Sequence, residues 1–115
     1  MNRRSWTLAK EELVKRILTE KKLSAIKSML EKDHAIDCLF LLLLNMGRWK
    51  DAKAFMHNLG LTISDGTFRA RMMEIEDLGL ATSVPIDPLK KYYVKTELGE
   101  KVALLLLGFF DEMSV

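Results

Sequence analysis

The sequence predicts a mainly α-helical fold with a small sheet of two or three β-strands, an α+β class. Apolar residues recur at helical spacing through most of the chain. The exception is the region 81–95, where two prolines bracket a loop between two stretches that favour strands. Of the 115 residues, 49% are hydrophobic and 30% are charged, a composition typical of a globular domain with a sizeable core. We therefore expect one domain without a long linker.

The N-terminal part of the chain predicts two amphipathic helices. The first spans about 8–19, with Thr7 as its N-cap, and the second spans about 24–31. Their apolar stripes are Leu13, Val14, Ile17 and Leu18 in the first helix, and Leu23, Ile26, Met29 and Leu30 in the second. Lysines occupy other positions around the second helix, so it has one face to bury.

A long apolar run predicts the helix at the centre of the fold. This third helix spans about 35–45, and its stretch 38–44 is apolar all round, so it must be covered on most sides. Gly47 interrupts the pattern, and a fourth helix spans about 50–59 before Gly60 ends it. The apolar stripe of the fourth helix is Ala52, Phe55, Met56 and Leu59.

The following region predicts a fifth helix, a hairpin and a sixth helix. Ser64 is the expected N-cap of the fifth helix. Its buried stripe is Phe68, Met72, Ile75 and Leu78 or Leu80, and its opposite face carries Asp65, Gly66, Arg69, Ala70 and Met73. The hairpin covers 81–95, with its loop at 85–88 and its second strand at 90–95, and the sixth helix covers 97–113.

A helix followed by a two-stranded hairpin, with basic residues on both, is typical of a winged helix-turn-helix that binds duplex DNA. The exposed face of the fifth helix would enter the major groove, where a small residue such as Gly66 permits close approach to the base edges. Arg69 is the side chain best placed to contact guanine. Ser64 and Thr67, at the helix start, are expected to bond phosphate oxygens. Arg71 has two equal alternatives, a phosphate contact or a surface ion pair.

Charge is distributed unevenly along the chain, although the formal net charge is only +2. Residues 1–32 carry nine basic and four acidic residues, a net +5, whereas residues 33–115 carry nine basic and twelve acidic, a net −3. Within the second part, 48–71 has five basic and two acidic residues, while 72–89 has four acidic and none basic. Positive charge therefore gathers near the predicted DNA contacts. Most of the Lys and Arg in 10–32 we interpret as solvated helix surface.

Three segments form a recognisable pattern: Ser64-Asp65-Gly66-Thr67-Phe68, Ile75-Glu76-Asp77-Leu78-Gly79-Leu80, and Lys90-Lys91-Tyr92-Tyr93-Val94-Lys95-Thr96-Glu97-Leu98-Gly99. This pattern resembles the winged helix-turn-helix of PadR-like transcriptional regulators, relatives of the MarR and ArsR groups, over about 35–105. The resemblance implies that 64–73 lies in the major groove, that 81–95 is the wing, and that the C-terminal helix builds a homodimer. It also implies DNA contacts by Ser64, Thr67 and Arg69, and phosphate contacts by Lys90 and Lys91.

The predicted organisation has three parts. Residues 1–32 are a basic arm and helices within the same domain, 33–96 are the winged helix-turn-helix, and 97–115 are the dimerisation helix. The predicted partner is double-stranded DNA, contacted by Ser64, Asp65, Gly66, Thr67, Arg69, Arg71, Lys90, Lys91 and Lys53.

The sixth helix carries more apolar surface than one small core can cover, which predicts a two-fold homodimer. The expected interface residues are Leu98, Val102, Leu105, Leu106, Phe109 and Phe110, together with Leu13 and Ile17 of the N-terminal helices. Such a dimer would hold two recognition helices about 34 Å apart, one turn of DNA, and favour an inverted-repeat site. The alternative is a monomer in which the N-terminal helices cap the core.

The remaining aromatic and acidic residues are expected to be structural. Strand alternation turns one ring of Tyr92 and Tyr93 inward, so at least one of them belongs to the core. Trp49 is expected to pack under the hairpin, and Trp6 to lie against a partner subunit or tether the basic arm Arg3-Arg4. The acidic residues of the fifth helix, Glu74, Glu76 and Asp77, are expected to form a solvated face.

Enzyme chemistry is not predicted. The two histidines, His34 and His57, and the single Cys38 show no spacing typical of a metal site, and no glycine-rich phosphate loop is present. Cys38 is expected to be a buried thiol, and no cofactor is expected. The longest apolar stretch, 102–110, is shorter than the roughly 20 residues that span a bilayer. With no signal peptide predicted, we expect no membrane partner and a cytoplasmic protein.

Two classes of function are compatible with these patterns. The first is a dimeric DNA-binding protein, most simply a repressor, with a centromere-binding partition protein or a chromatin-coating protein as a variant that uses the same contacts. The second is a winged helix that serves as a protein-interaction module without binding DNA. A strong dependence of duplex binding on salt would distinguish the first class from the second.

Overall fold

The computed structural model describes the backbone of residues 3–114 and the side chains of residues 9–114. Over that range the fold is mainly helical with one small antiparallel sheet, which confirms the predicted class; the sheet has two strands. The elements are α1 (Arg3–Thr19), α2 (Lys21–Leu30), α3 (Ala35–Leu43), α4 (Trp49–Asn58), α5 (Asp65–Asp77), β1 (Ala81–Asp87), β2 (Lys90–Lys95) and α6 (Glu97–Met113). The side chains of Trp6 and of the arm Arg3-Arg4 lie outside the described residues.

The chain divides after Lys32 into two compact units, and the first consists of α1 and α2. The prediction that Thr7 caps α1 is wrong, because the helix begins at Arg3 and no glycine or proline interrupts it before Thr7. Helix α2 begins at Lys21, after Glu20 with its extended backbone, rather than at residue 24. Its predicted apolar residues, Leu23, Ile26, Met29 and Leu30, are buried or half-buried, whereas its lysines are exposed.

Helix α3 is the central helix of the second unit, as the apolar run predicts. Ala35, Cys38, Leu39, Leu41 and Leu42 are all buried, and the helix packs against both α5 and α6. It ends earlier than predicted, at Leu43. Asn45 then adopts a left-handed backbone (φ 60°), and the Met46 amide donates to the Leu41 carbonyl over 2.7 Å.

Helices α4 and α5 are joined by the segment 59–64. Gly60 ends α4 in a left-handed conformation (φ 73°), as predicted, and Ala52 and Met56 are buried. Leu59, however, is 58% exposed, so its place in the buried stripe was wrongly predicted. The helix has already ended at Asn58, and the side chain of the following residue no longer falls on the buried side.

Helix α5 follows its prediction closely. Ser64 caps it, because its hydroxyl accepts a hydrogen bond of 3.1 Å from the Thr67 amide. Phe68, Met72 and Ile75 form the buried stripe. Of the two candidates for its last position, Leu80 is buried and Leu78 is half-buried.

The hairpin is longer and its turn is tighter than predicted. Strand β1 continues through Pro85, which pairs with Lys91, so 85–88 is not a loop and the turn consists of residues 88–89. Proline is tolerated in such a sheet because each strand has one open edge, on which no amide hydrogen is needed for pairing, and because Pro85 adjoins a register shift. The register shift between Pro85 and Asp87 leaves Ile86 as a bulged residue that bends the strand.

The start of α6 is tied to the base of the hairpin. The Thr96 hydroxyl accepts from the Gly99 amide over 3.0 Å and donates to the Gly79 carbonyl over 2.7 Å, while the Thr96 amide donates to the Leu80 carbonyl. Gly99 and Ala103 are buried on the inner side of the helix. Among the described residues, no helix combines the length and apolar character that crossing a bilayer requires.

Candidate functional site

A groove of about 590 Å³ lies between the start of α4, the exposed face of α5 and the hairpin. It is lined by Arg48, Trp49, Lys50, Phe68, Arg69, Met73, Ile86, Leu89, Lys90, Lys91 and Tyr93. Five of these residues are cationic, and none of the described lining residues carries a carboxylate. The groove is therefore a site of concentrated positive charge in a unit whose sequence carries a net −3.

Aromatic contacts hold the three sides of the groove together. The Trp49 ring packs on the buried Phe68 of α5, with centroids 5.3 Å apart, so its predicted role as a packing residue is confirmed. Tyr93 is buried, and its amide donates to the Gly47 carbonyl over 3.0 Å, which joins β2 to the approach to α4. The Lys91 ammonium lies 5.3 Å from the Tyr93 ring centroid, a cation–π distance. The predicted core position of one tyrosine is thus confirmed at Tyr93.

The outer face of α5 is open, as the sequence predicts. Arg69 is 69% exposed, and its Nε donates to an Asp65 carboxylate oxygen over 2.9 Å, one turn earlier. A side chain added at Gly66 would meet no other atom within 4 Å, and Met73 is 52% exposed. A partner could therefore approach the backbone of the first turn of α5 closely.

The polar residues at the start of α5 are engaged in capping. Ser64 donates its hydroxyl hydrogen to Thr67 Oγ1 over 2.9 Å, in addition to accepting from the Thr67 amide. Asp65, in the first turn, favours the helix through its charge but opposes an approaching phosphate. Its ion pair with Arg69 offsets part of that repulsion. Phosphate contacts by Ser64 and Thr67 stay predictions, as does the involvement of Asp65.

Six of the nine predicted DNA contacts do not line the groove: Ser64, Asp65, Gly66 and Thr67 at the start of α5, and also Arg71 and Lys53. Arg71 is only 17% exposed; its Nη1 donates to a Glu74 carboxylate oxygen over 2.6 Å and its Nε to the Asp33 carbonyl over 3.0 Å. Of the two alternatives for Arg71, the structure contains the ion pair. Lys53 is exposed on α4 but is not among the lining residues. Glu74 is held in that ion pair and half-buried, which corrects its predicted place in a solvated face.

Two groove cations, Arg48 and Lys50, are absent from the predicted contacts. They come from the residue before α4 and its first turn, about 20 residues away in sequence from Arg69. The excess of basic residues in 48–71 was the signal for them. Charge counting alone could not separate them from Lys53, because only the packing of α4 against its neighbours decides which lysines face the hairpin.

A second open surface is apolar and belongs to α6. Its large apolar residues that are at least 46% exposed are distributed around more than half of the helix, and we call this set the α6 face: Leu98, Leu104, Leu105, Leu107, Phe109, Phe110 and Met113. Leu105 is the most exposed residue of this set, at 75%. Two other predicted interface residues, Val102 and Leu106, are half-buried. Phe110 also packs edge-on against Phe40 of α3, with centroids 6.1 Å apart.

The predicted interface residues of the N-terminal unit belong to α1. Leu13 is 51% exposed and Ile17 is half-buried. Val14 and Leu18 on the same helix are also more than half exposed. This helix therefore carries apolar surface of its own that water reaches.

The groups with potential for catalysis or metal binding are separate from the groove. His34 Nδ1 lies 2.8 Å from an Asp37 carboxylate oxygen, and His57 is exposed on α4. Cys38 is buried, as predicted; burial and, less strongly, the Asp37 charge raise its pKa to about 12, against a smaller opposing effect of Arg71. Over the described part of the chain, no group of three or more His, Cys, Asp or Glu side chains is placed to hold a metal ion.

Comparisons with known proteins give no guide to this site. No protein-family profile, no curated protein and no solved structure matches the chain. The chemistry of the groove and of the α6 face, together with the sequence patterns, is therefore the basis for a functional interpretation.

Proposed function

We propose that this protein is a dimeric DNA-binding protein that regulates transcription, most simply as a repressor. Helix α5 would enter the major groove as the recognition helix of a winged helix-turn-helix, and the hairpin would act as its basic wing. The observation that carries the proposal is the groove itself, where five cations from three elements line one concave surface. Duplex DNA presents a continuous line of phosphates that such a surface can neutralise.

The groove fits the path of one phosphate strand. Lys90 and Lys91 flank it on the hairpin side, and Arg48 and Lys50 flank it at the start of α4. With a strand so placed, the outer face of α5 would meet the base edges, because the small Gly66 and the half-buried Ala70 leave room for close approach. The exposed guanidinium of Arg69 would then be free to exchange its Asp65 contact for a bidentate contact to guanine.

The α6 face supports the dimeric state. Seven large apolar side chains that are at least 46% exposed on one 17-residue helix are more than scattered surface leucines. A two-fold axis would bury the side of α6 that carries Leu98, Leu105 and Phe109, which lie within about 40° of one another around the helix, against its own copy, the commonest arrangement of a homodimer. Two recognition helices about 34 Å apart would favour an inverted-repeat operator. The PadR-like pattern of the sequence supports the same arrangement.

The salt dependence of binding tests the proposal. A genomic duplex pool labelled for fluorescence anisotropy is titrated with protein at several salt concentrations. If the eight groove cations of a dimer other than Arg69 neutralise phosphates, the logarithm of the binding constant should fall against the logarithm of salt with a slope of about −7. Lys90→Ala with Lys91→Ala should reduce that slope by about 4 for every duplex alike. No binding to any duplex at low salt would contradict the proposal.

Two lysines of α4 give a matched test of the groove. Lys50 lines it and Lys53 does not, although both are exposed and lie three residues apart on one helix. We expect Lys50→Ala to reduce the slope by about 2 per dimer and Lys53→Ala to leave it unchanged. Equal effects of the two substitutions would show that diffuse positive charge, and not the groove, binds the duplex.

Recognition of a specific DNA sequence is tested separately, by selecting the fragments that the protein binds from the same pool. Wild-type protein should recover an inverted repeat with half-sites one helical turn apart. Arg69→Ala should relax the preference at one base pair in each half-site, where a bidentate contact is worth about 1–3 kcal/mol. Recovery of long, irregular fragments with no symmetry would favour the variant in which the protein coats DNA or marks a partition site.

A protein-interaction module is the second candidate. The observation that favours it is the presence of three exposed apolar residues, Met73, Ile86 and Leu89, on the rim of the cationic groove. An acidic peptide with apolar anchors would match that combination. This candidate becomes the better one if duplexes fail to bind at low salt.

A further inference from the structure

The hairpin ends in an apolar side chain that no packing requirement explains. Leu89 is 95% exposed, the highest value among the exposed large apolar residues that the structure describes. Two-residue hairpin turns favour glycine, asparagine or aspartate, because their backbone fits such turns most easily. A leucine at this position gains nothing from the fold and adds apolar surface in water.

The turn that carries Leu89 is held rigidly. One Asp87 carboxylate oxygen accepts hydrogen bonds from the Leu89 and Lys90 amides, each over 2.8 Å. Pro88 restricts the backbone between them, and the bulge at Ile86 bends the strand that leads to the turn. The leucine is therefore presented on a preorganised tip, with Lys90 following it directly.

The position of the tip relative to a duplex follows from the groove, and this step rests on the proposed function. The two sides of a phosphate strand in B-DNA face the major groove and the minor groove. If a phosphate strand lies in the protein groove with α5 on its major-groove side, the hairpin lies on the minor-groove side. The minor groove is about 6 Å wide, so the single side chain that projects from the turn can enter it while the hairpin backbone stays outside.

We propose that Leu89 is a wedge that enters the minor groove and partly unstacks one base step, so that each protomer kinks the duplex. Apolar side chains that insert in this way bend DNA by about 20–90° toward the major groove. Lys90 and Lys91 would hold the phosphates that flank the widened step, while the Asp87 carboxylate is occupied by backbone amides. Flexible pyrimidine–purine steps would be favoured at that position, although no side chain reads their base edges.

Energy transfer between dyes at the two ends of a duplex measures the bend. The probe is a pool of duplexes of about 30 base pairs, roughly three helical turns, with a randomised centre. Saturating wild-type protein should bring the ends closer and raise the transfer efficiency. A second pool carries 2-aminopurine at central steps, and its fluorescence should rise where a base loses its stacking partner.

Substitutions at Leu89 separate bending from affinity. Leu89→Ala should abolish the rise in energy transfer, and Leu89→Met, which keeps a long apolar side chain, should retain it. Leu89→Lys should bind at least as tightly as wild type, because it adds a charge beside phosphates, yet should leave the duplex straight. Leu59→Ala is the matched control, since Leu59 is also an exposed leucine but lies outside the groove.

The outcomes distinguish this inference from the proposed function. Steep salt-dependent binding with an unbent duplex would overturn the wedge and leave the DNA-binding function standing. A bend that survives in Leu89→Ala would also overturn the wedge, because another element would then be its cause. Failure of the wild-type protein to bind any duplex would overturn the function and the wedge together.

Discussion

The groove and the α6 face are opposite in chemistry, although one central helix supports both. The groove is lined by five cations drawn from α4, α5 and the hairpin, and the α6 face is built from exposed leucines, phenylalanines and a methionine of a single helix. Helix α3 packs against both α5 and α6. One small apolar core therefore displays two surfaces that would bind partners by different forces.

The difference predicts that salt separates the two binding events. Binding by counterion release weakens steeply as salt rises, whereas burial of apolar surface does not depend on screening. We therefore expect high salt to release DNA while the dimer stays assembled. The substitutions below act on one surface, on the other, or on the interior between them, in order of decreasing effect.

The largest effect is expected on the α6 face. Leu105→Glu with Phe109→Glu should dissociate the dimer, because the four altered side chains of a dimer each lose about 1.5 kcal/mol or more of apolar burial. The total of about 6 kcal/mol corresponds to a dissociation constant raised by about 10⁴. Sedimentation velocity measures the change, with helix content by circular dichroism as a check on folding.

The control for that pair is Leu59→Glu, since Leu59 is 58% exposed but lies outside α6. It should leave the mass of the assembly unchanged. A wild-type protein that sediments as a monomer, or a double variant that stays dimeric, would show that the α6 face has another role.

Substitutions at two buried glycines are expected to give the next largest effect, and each glycine supports a different one of the two surfaces. A side chain at Gly47 would overlap the Tyr93 carbonyl oxygen, and one at Gly99 would overlap the Leu80 carbonyl oxygen. Each glycine-to-alanine substitution should lower the free energy of unfolding by about 1–3 kcal/mol, because backbone must shift to admit the methyl group. Urea unfolding monitored by tryptophan fluorescence measures the loss.

The two glycine variants should differ in function. Gly47→Ala displaces the hairpin from α4 and should weaken duplex binding, whereas Gly99→Ala displaces the start of α6 and should weaken assembly. If both variants lose the same function to the same degree, the groove and the α6 face are not separable units of binding.

The pH dependence of the free energy of unfolding tests the packing of the interior between the two surfaces. The pKa of Cys38 is raised from 9.0 to about 12 in the folded protein, so an unfolded chain releases the thiol proton at a lower pH than the native one. The contribution of the buried, neutral thiol to the free energy of unfolding is thus fully present below about pH 9. It is lost as the pH rises toward 12. Between about pH 8 and pH 10 the unfolding free energy should fall by on the order of 1 kcal/mol more in wild type than in Cys38→Ala.

Urea midpoints at the two pH values, measured for both proteins, provide the comparison. Taking the difference from Cys38→Ala removes the contribution of lysines and tyrosines that titrate in the same range. Identical pH dependence in the two proteins would mean that water reaches the thiol, and that the core beneath both surfaces is looser than its packing indicates.

The smallest effect on stability is expected at two exposed helical glycines, one on α5 and one on α6. A side chain at Gly66 of α5 or at Gly108 of α6 would meet no atom within 4 Å in the isolated protomer. Alanine at either position should stabilise the fold by about 0.5–1 kcal/mol through helix propensity. Gly66→Ala should nevertheless weaken duplex binding about tenfold, equivalent to about 1.4 kcal/mol, because its methyl group would stand between α5 and the DNA.

Gly108→Ala is the control for that loss, and its duplex affinity, measured well above the concentration at which the dimer assembles, should equal that of wild type. Duplex affinity unchanged in Gly66→Ala would mean that the first turn of α5 does not approach DNA. The recognition role proposed for α5 would then be wrong even if the groove binds phosphate.

Local sequence patterns predicted most of the elements, because their causes act over a few residues. Ser64 caps α5, Gly60 ends α4, and β2 and α6 have the predicted bounds. The error in the hairpin arose where a contact across the two strands decided. Pro85 was read as part of a loop, but pairing with Lys91 across the hairpin keeps it in a strand.

The candidate site was predictable only in part, for the same reason. Arg69, Lys90 and Lys91 follow from the face of a helix and the end of a hairpin, which periodicity and turn signals indicate. Arg48 and Lys50 join them because Trp49 packs on Phe68 and Tyr93 bonds to Gly47, contacts between residues about 20 and 46 positions apart. The same packing leaves Lys53 outside the groove.

The sequence by itself determined the helical class, the single hairpin, the capping of α5 and the excess of apolar residues on the last helix, because propensity, capping and periodicity are local properties. Tertiary structure alone decided which cations meet around one concave surface, and that Arg71 and not Arg69 bonds the Asp33 carbonyl, 38 residues away in sequence. Those outcomes depend on how distant elements pack. Close packing admits few arrangements, yet no short stretch of residues encodes which one is adopted.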